Sequence, residues 1–519
     1  MKFSRFIFLG IVIAGLCLRF QVQFLEPFFN NDEIDLGMNI NQRGFIDLLK
    51  PLKHYQTAPP LFLWLMKCIY LVPVGATWLK YKIFFFLLNI PFFYLIYDLV
   101  KRFSKDPMVQ IVALAMVCLN PFFIYHSLTL KQYIIDTIVI LLLVKSELKA
   151  DAKWGYKGLW VVAPLLSNPV LFLYTGFLFH AFWNLLKTAK KESNLNFGTS
   201  VIKSIPAFFR IAHYRWFLIP LLSYVAYFLW YRQQDGFLSL TRFMWDFWSQ
   251  TFFSNPHDFF IRIYYFFIGN ITFVFSHDKT LANLGTLLFF IGLVRFYKHN
   301  TDTRLRQQLG LYMLALGVFV SLNFLKMYPI EPRLLLFFSP VMVLLIALSG
   351  EIKHVVYRVC WLLLVLIGLG NYALYFPFKE NDVCMMTKRL DTIKPKAVFY
   401  SQNSVRAIRK FDAFTEGVFN VESKYVYGAA YKGTKDSLFV LKLVHQFGRE
   451  GENGPIMEAS IKTAVEERRI NLLSVADGFN LYKINDPLIV SEFVRDGILH
   501  PDYLTLGKLP KMANPFISL

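Results

Sequence analysis

The chain has 519 residues, of which 55% are hydrophobic, 18% aromatic and only 17% charged. Apolar runs of roughly 18 residues or more, which is the length that lets a helix cross a bilayer, recur from the N-terminus to about residue 375. This composition excludes an ordinary multi-domain soluble protein. It predicts a polytopic α-helical membrane protein.

The formal net charge of +20 does not indicate a nucleic-acid partner. Lys and Arg are concentrated in short loops between the apolar runs, as the positive-inside rule predicts for cytoplasmic loops. Such loops contact anionic lipid headgroups, so we expect membrane lipids as partners and no nucleic acid.

The N-terminus begins with a short basic segment, Met1–Arg5, followed by an apolar run over residues 6–22. No small-x-small cleavage site follows Leu18, so the run is predicted to be an uncleaved first helix with a cytoplasmic N-terminus. The first loop, residues 23–80, then lies on the outer face. Within it, segment 59–74 is short and flanked by prolines, which favours a helix lying in the outer interface.

Alternating apolar and basic segments predict about eleven crossings. The Ser167-Asn168-Pro169 sequence interrupts two short apolar runs and predicts a pair of broken helices, because proline removes a helix donor. Segment 259–275 fits either a crossing or an interfacial element. The predicted crossings cover residues 6–22, 81–100, 108–125, 134–144, the broken pair within 158–186, 216–231, 281–294, 311–325, 334–348 and 355–375.

A change in composition near residue 377 divides the chain into a membrane domain, 1–376, and a soluble domain, 377–519. Residues 396–401 are predicted to form a strand and 404–411 a helix, while 437–445 fits either. Residues 471–483 are typical of a hairpin with Asp477-Gly478 as its turn. We therefore expect a small extracytoplasmic α/β domain at the C-terminus.

Four polar clusters fall on the predicted outer face. Together they offer carboxylates, cations and amides beside a membrane, which suits transfer of a group from a lipid phosphate to a hydroxyl: a carboxylate takes the acceptor proton and cations stabilise the departing phosphate. The candidate residues are Asp32 and Glu33; Lys53, His54 and Gln56; Lys131, Gln132, Tyr133 and Asp136; and Tyr328 and Arg333.

Asp32 and Glu33 are neighbours, so their side chains point in different directions in any regular conformation. One is expected to act and the other to orient, and Asp32 is favoured as the base. Asp136 lies inside an apolar run, where an unpaired carboxylate is costly, so a partner such as Lys131 or a functional role is expected. Lys131 and Arg333 also fit ordinary interface anchors, and Trp245 and Trp248 fit an interface belt better than a sugar platform.

The order of these features resembles the GT-C superfamily of membrane glycosyltransferases. The matching features are an acidic pair after the first helix, a loop ending in Pro59-Pro60-Leu61, and the stretch Lys131-x-Tyr133-x-x-Asp136. The most similar branch contains protein O-mannosyltransferases and the aminoarabinose transferases of bacterial lipid A. The resemblance covers roughly residues 1–350 as architecture.

The resemblance implies that Asp32 and Glu33 form the catalytic acidic motif, that the donor is a polyprenyl-phosphate sugar, and that Lys131 and Arg333 bind the lipid phosphate. One departure is clear. The lipid A transferases carry Glu-Lys directly before Pro-Pro, whereas this chain has Thr57-Ala58, so Lys53 or Lys131 would have to replace that lysine.

We therefore expect an inverting hexosyltransferase on the outer face of a bacterial inner membrane. It would move a sugar from polyprenyl phosphate to a lipid, glycan or protein hydroxyl. No cofactor is certain, and a divalent cation held by the acidic pair and the phosphate is left open. The alternatives are a membrane transporter or lipid flippase, and a GT-C-like assembly factor that has lost activity.

Overall fold

The structure is a computed structural model that describes most of the first 375 residues and parts of the remainder. The described residues are 2–25, 30–146, 154–193, 204–206, 208, 211–249, 252, 260–261, 264, 279–375, 397–400, 414, 437–442, 461–476, 479–486, 489 and 492–493.

Helices dominate the part of the chain before residue 376. The α-helices are α1 (Lys2–Phe20), α2 (Asn31–Gln42), α3 (Pro60–Leu71), α4 (Thr77–Phe103), α5 (Pro107–Cys118), α6 (Pro121–Leu128), α7 (Tyr133–Lys145), α8 (Trp154–Leu166), α9 (Pro169–Ser193), α10 (Ala212–Tyr231), α11 (Phe237–Trp248), α12 (Lys279–His299), α13 (Thr303–Phe324), α14 (Ser339–Ser349) and α15 (Val355–Tyr375). A π-helix, Gln21–Leu25, extends α1, and three 3₁₀ turns cover Asp47–Leu49, Lys53–Tyr55 and Pro332–Leu335.

Among the described residues, five helices are long and apolar enough to cross a membrane. They cover Phe6–Phe24, Thr77–Phe103, Pro169–Ala189, Thr280–His299 and Thr303–Phe324. The bent pair α5 and α6 raises the number to six if it counts as one span. The multi-pass membrane character predicted from composition is thus supported, while the number of about eleven crossings stays a prediction.

The α5–α6 segment is broken, whereas the sequence predicted one crossing over residues 108–125. The two helices meet at 51°, and Asn120 caps the second by accepting a hydrogen bond from the Phe122 N–H. Pro121 occupies the first turn of α6, where its missing N–H is tolerated. The N-cap and the proline together restart the helix in a new direction.

Arg19 stabilises this break from inside the protein. Its side chain is fully buried and donates five hydrogen bonds. Two of them reach the Val117 and Cys118 carbonyls, where α5 ends. The others reach Gly15 O, Asn89 Oδ1 and Ser127 Oγ. The planar guanidinium thereby satisfies carbonyl groups that lipid could not hydrogen-bond.

The predicted interruption at Ser167-Asn168-Pro169 is present, because α8 ends at Leu166 and α9 begins at Pro169. The prediction was two short helices. The first, α8, is short with 13 residues, but α9 has 25 residues and is long and apolar enough to cross a membrane by itself. The break therefore separates one short helix from one complete span.

The chain forms two compact units. The first comprises Met1–Glu26, Asn39–Pro73 and Leu79–Phe378, and the second comprises Pro27–Met38, Val74–Trp78 and Lys379–Leu519. In the first unit α12 and α14 approach closely: a Cβ at Gly292 would overlap the Leu345 carbonyl oxygen. Glycine is therefore required for this helix–helix contact.

The second unit contains a four-stranded sheet with the strand order β1-β2-β4-β3. Its strands are β1 (Ala397–Tyr400), β2 (Ser437–Lys442), β3 (Ile470–Ala476) and β4 (Phe479–Ile484). β1 and β2 are parallel, while β4 pairs antiparallel with β2 and β3. The predicted strand at 396–401 and the hairpin over 471–483 are both present, and the ambiguous stretch at 437–445 contains a strand.

Two contacts fix local structure in the second unit. Arg469 binds Asp486 at 2.8 Å and both Glu492 carboxylate oxygens at 2.7 and 2.8 Å, which ties the hairpin to the segment that follows it. Gly37 of α2 lies against the fully buried ring of Phe414, and a Cβ at that glycine would overlap Phe414 Cε2. The predicted helix 404–411, the turn 477–478 and most of segment 259–275 lie outside the described residues.

Candidate functional site

The predicted acidic pair lies in the first turn of α2, within the second unit. The Glu33 N–H donates to Asn30 Oδ1 at 2.8 Å, and the Asn30 N–H donates to Glu33 Oε2 at 2.9 Å. This reciprocal pair is a capping box, which satisfies two backbone donors at the helix N-terminus. Glu33 is buried and Asp32 is half-buried. Glu33 therefore takes part in the local structure of the helix N-terminus.

The C-terminal end of α2 belongs to the first unit and is held by α3. Lys67 is buried and donates from Nζ to the Ile40 and Asn41 carbonyls at 2.9 and 3.0 Å. A cation at the last carbonyls of a helix complements its dipole. Desolvation lowers the pKa of Lys67 from its usual value. Lys67 is thus a structural residue of the first loop.

Asn39 connects α2 to the loop that carries Lys53, His54 and Gln56. Its Nδ2 donates to Lys53 O at 3.0 Å, and its Oδ1 accepts from the Lys53 N–H at 2.8 Å. This two-sided bond holds the Lys53 backbone while its side chain is exposed. Lys53 is thereby anchored at the base of the loop.

The next two residues are strained. His54 and Tyr55 both adopt left-handed backbone conformations, with φ of 60° and 55°. Such conformations cost energy for residues with a Cβ and persist where surrounding contacts hold them. Here the Tyr55 ring stacks on Phe243 of α11, with centroids 4.1 Å apart and planes 9° apart. The strained turn places Gln56 in a buried position directly after it.

Gln56 meets Lys131, a residue predicted from a different part of the sequence. The Lys131 Nζ donates to Gln56 Oε1 at 2.5 Å, and both side chains are buried. The sequence predicted either a partner such as Lys131 or a functional role for Asp136. The Lys131 ammonium bonds Gln56, and no cation interacts with the Asp136 carboxylate among the described residues, so the functional role stays a prediction.

Arg333 forms a second cationic position. Its guanidinium carbon lies 5.3 Å from the centre of the Trp248 ring, and its Nε lies 4.0 Å from Glu331 Oε1. Burial raises the pKa of Glu331, and the neighbouring Arg333 opposes that shift. A cation over an indole face is attracted to the ring electrons, so Trp248 helps to hold Arg333 in place.

Asp136 lies in a third, buried polar cluster. Ser167, Tyr224 and Tyr328 all lie near enough to interact electrostatically with its carboxylate. The Tyr224 hydroxyl donates to Asn168 Oδ1 at 3.0 Å. Burial raises the pKa of Tyr328 well above its usual range, and the nearby Asp136, Tyr133 and Tyr224 raise it further.

All nine predicted substrate-binding residues belong to the first unit, and Asp32 and Glu33 belong to the second. Gln132 is one helical turn before Asp136 and is buried, while the ring of His126 lies 5.6 Å from that of Tyr133. The structure therefore joins Gln56 to Lys131, and it places Tyr328 near both Asp136 and Tyr133.

Sequence analysis missed two sets of residues in this region. Trp248 was assigned to an interface belt, yet it is buried against Arg333, while Trp245 is exposed. Tyr224 was not singled out. A signal existed: Tyr224, Tyr227 and Tyr231 recur at helical spacing on α10, which places hydroxyls along one face.

The described residues include no group of three or more His, Cys, Asp or Glu side chains arranged to hold a metal ion. The divalent cation left open by the sequence is therefore untested. Any such ion at Asp32 and Glu33 would need further ligands from a substrate phosphate.

No family model and no curated protein matches this sequence. Among solved structures, ArnT from Cupriavidus metallidurans bound to undecaprenyl phosphate aligns with a TM-score of 0.44 and 11% identity, covering 91% of this chain and 97% of that chain. Its apo state aligns with a TM-score of 0.41 and 12% identity over the same shares.

The apo oligosaccharyltransferase of Archaeoglobus fulgidus aligns with a TM-score of 0.39 and 12% identity. It covers 70% of this chain, which spans 55% of the length of that enzyme.

Proposed function

We propose that this protein is a membrane glycosyltransferase that moves a sugar from a polyprenyl-phosphate donor to a hydroxyl of a lipid, glycan or protein. The transfer takes place on the outer face of a bacterial inner membrane. The observation that carries the proposal is the contact between Gln56 and Lys131. It joins two of the polar clusters predicted on the outer face, the Lys53–Gln56 stretch and the Lys131–Asp136 stretch, through a buried ammonium group.

The first-unit residues supply the groups that a lipid phosphate needs. Lys131 offers a buried cation, Gln56 an amide that positions it, and Arg333 a planar guanidinium held over Trp248. Cations stabilise the charge that develops on a departing phosphate, and they do so more strongly where water is excluded. We assign Lys131 and Arg333 to the donor phosphate.

Asp32 is assigned as the base. The reaction requires a carboxylate to take the proton of the acceptor hydroxyl as its oxygen attacks the sugar carbon and the phosphate leaves, which inverts that carbon. Glu33 is engaged in the capping box with Asn30, so its oxygen already serves the helix N-terminus. This bond supports Glu33 as a positioning residue, and Asp32 is the member of the acidic pair that we assign to catalysis.

The test is transfer from radiolabelled polyprenyl-phosphate sugars in membranes that contain the full-length chain and native acceptors. We expect label in a lipid, glycan or protein fraction with wild type, and at least 10-fold less with Arg333→Ala, because a charge-assisted contact is lost. Lys50→Ala is the matched control, since Lys50 is exposed and pairs only locally with Asp47. Wild-type levels of transfer by Arg333→Ala would contradict the assignment of the phosphate site.

A further inference from the structure

Asp136 is a carboxylate held inside the helical unit without a compensating cation among the described residues. Its Oδ1 has no hydrogen-bond partner there, and the same is true of Ser167 Oγ, Gln132 Oε1 and His126 Nδ1. The Ser167 hydroxyl lies beside the Asp136 carboxylate, but the two groups are not well aligned for a hydrogen bond. Buried polar groups in native proteins are almost always hydrogen-bonded, so this concentration requires an explanation.

The groups around Asp136 are hydroxyls and aromatic rings. Tyr224 and Tyr328 both lie within electrostatic range of the carboxylate, and Tyr133 lies near Tyr328. Tyr224 already donates to Asn168, which fixes the orientation of its hydroxyl. The Tyr328 ring packs edge-on against Phe172, with centroids 5.1 Å apart. The aromatic side of the cluster is thus packed, while Asp136 Oδ1 has no hydrogen-bond partner among the described residues.

We propose that this cluster binds the sugar of the donor, with Asp136 accepting hydrogen bonds from sugar hydroxyls and Ser167 bonding a further hydroxyl. A carboxylate accepts from two hydroxyls, and ring faces pack against the C–H face of a sugar, so the chemistry fits a neutral monosaccharide. The proposal rests on the proposed function. It makes Asp136 a specificity residue, separate from the phosphate groups Lys131 and Arg333.

If Asp136 had a purely structural role, removing its charge should destabilise the protein. Burying a carboxylate without a cation costs free energy. A stabilising role would therefore require charged protein partners, which Asp136 does not have among the described residues. If Asp136 is instead retained for sugar binding, Asp136→Asn should leave the stability of the protein unchanged or raise it. Functional sites commonly retain such destabilising groups.

The experiment measures binding of two kinds of probe to the purified full-length chain. The first is bare polyprenyl phosphate, and the second is a panel of polyprenyl-phosphate hexoses, N-acetylhexosamines and pentoses. We expect wild type to bind at least one sugar-bearing donor about 10- to 100-fold more tightly than the bare carrier. Asp136→Asn should remove most of that difference while leaving affinity for the bare carrier unchanged.

Two further variants complete the test. Ser167→Ala should reduce the same sugar-dependent difference, and Thr137→Val is the matched control, because buried Thr137 donates only to the Tyr133 carbonyl of its own helix. Thermal unfolding of Asp136→Asn should occur at or above the wild-type temperature.

Three outcomes would overturn the inference: equal weakening of carrier and donors by Asp136→Asn, loss of stability in that variant, or a wild type that binds no donor better than bare carrier. Failure of every probe, bare carrier included, to bind wild type would instead contradict the proposed function.

Discussion

Lys131 donates a hydrogen bond to Gln56 across a sequence separation of 75 residues, and both side chains are buried. The bond joins the first loop to the turn that precedes α7. Because the Gln56 amide is neutral, this hydrogen bond does not itself neutralise the ammonium group. This position is therefore suited to an anionic ligand.

Replacing Lys131 with Met should weaken binding of polyprenyl phosphate by about 10- to 100-fold, because a charge-assisted hydrogen bond contributes about 1.5–3 kcal/mol. Gln56→Ala should have a smaller effect, since it leaves the cation in place. Binding of the bare carrier to purified protein provides the measurement. An affinity unchanged in Lys131→Met, together with a lower unfolding temperature, would show that Lys131 only joins two segments.

Arg19→Met should destabilise the first unit by about 3 kcal/mol or more. It leaves several buried acceptors without donors, each costing about 1–3 kcal/mol, and it releases the carbonyls at the α5–α6 break. Ser127→Ala removes only one of these acceptors and should cost about 1 kcal/mol. Unfolding of the purified protein in detergent measures both. If Arg19→Met were no less stable than Ser127→Ala, Arg19 would be excluded as the residue that stabilises the bend between α5 and α6.

Gly37→Ala should destabilise the second unit by about 1–3 kcal/mol, because its new methyl group overlaps the buried Phe414 ring. Phe414→Ala in the same chain should remove most of that penalty, giving a coupling energy between the two positions. Gly44→Ala is the control, since its methyl would meet only Asp47 Oδ2, at 3.8 Å. Additive effects of the two substitutions would show that the residues do not touch.

The sequence predicts the helical membrane character well, because apolar length alone identifies a span. It also predicts the break at Pro169 and the 471–483 hairpin from local proline and turn chemistry. It does not predict the bend between α5 and α6. Asn120-Pro121 sits in a continuous apolar run, and the distant Arg19 satisfies the carbonyls at that bend.

Some features of the candidate site could likewise be predicted from the sequence, and others could not. The predicted outer-face clusters include Lys131 and Gln56. Only the folded chain shows that Lys131 bonds the Gln56 amide and that no cation interacts with Asp136 among the described residues. Trp248 and Tyr224 belong to the candidate site because they contact residues that are distant in the sequence, Arg333 and Asn168 respectively. Local pattern carries no information about such contacts, so a tryptophan in a loop was predicted to be an interface anchor.

The central claim is that Asp32 is the base and Glu33 a positioning residue, and it is tested most directly by single-turnover sugar transfer with Asp32→Asn and Glu33→Gln. Asp32→Asn should lower the transfer rate by about 10²- to 10⁴-fold and leave donor affinity unchanged, as expected for loss of a general base. Glu33→Gln should stay within a few-fold of wild type, because Gln at this position still accepts the Asn30 N–H in the capping box. Normal transfer by Asp32→Asn, or abolished transfer by Glu33→Gln in a protein with wild-type stability, would contradict it.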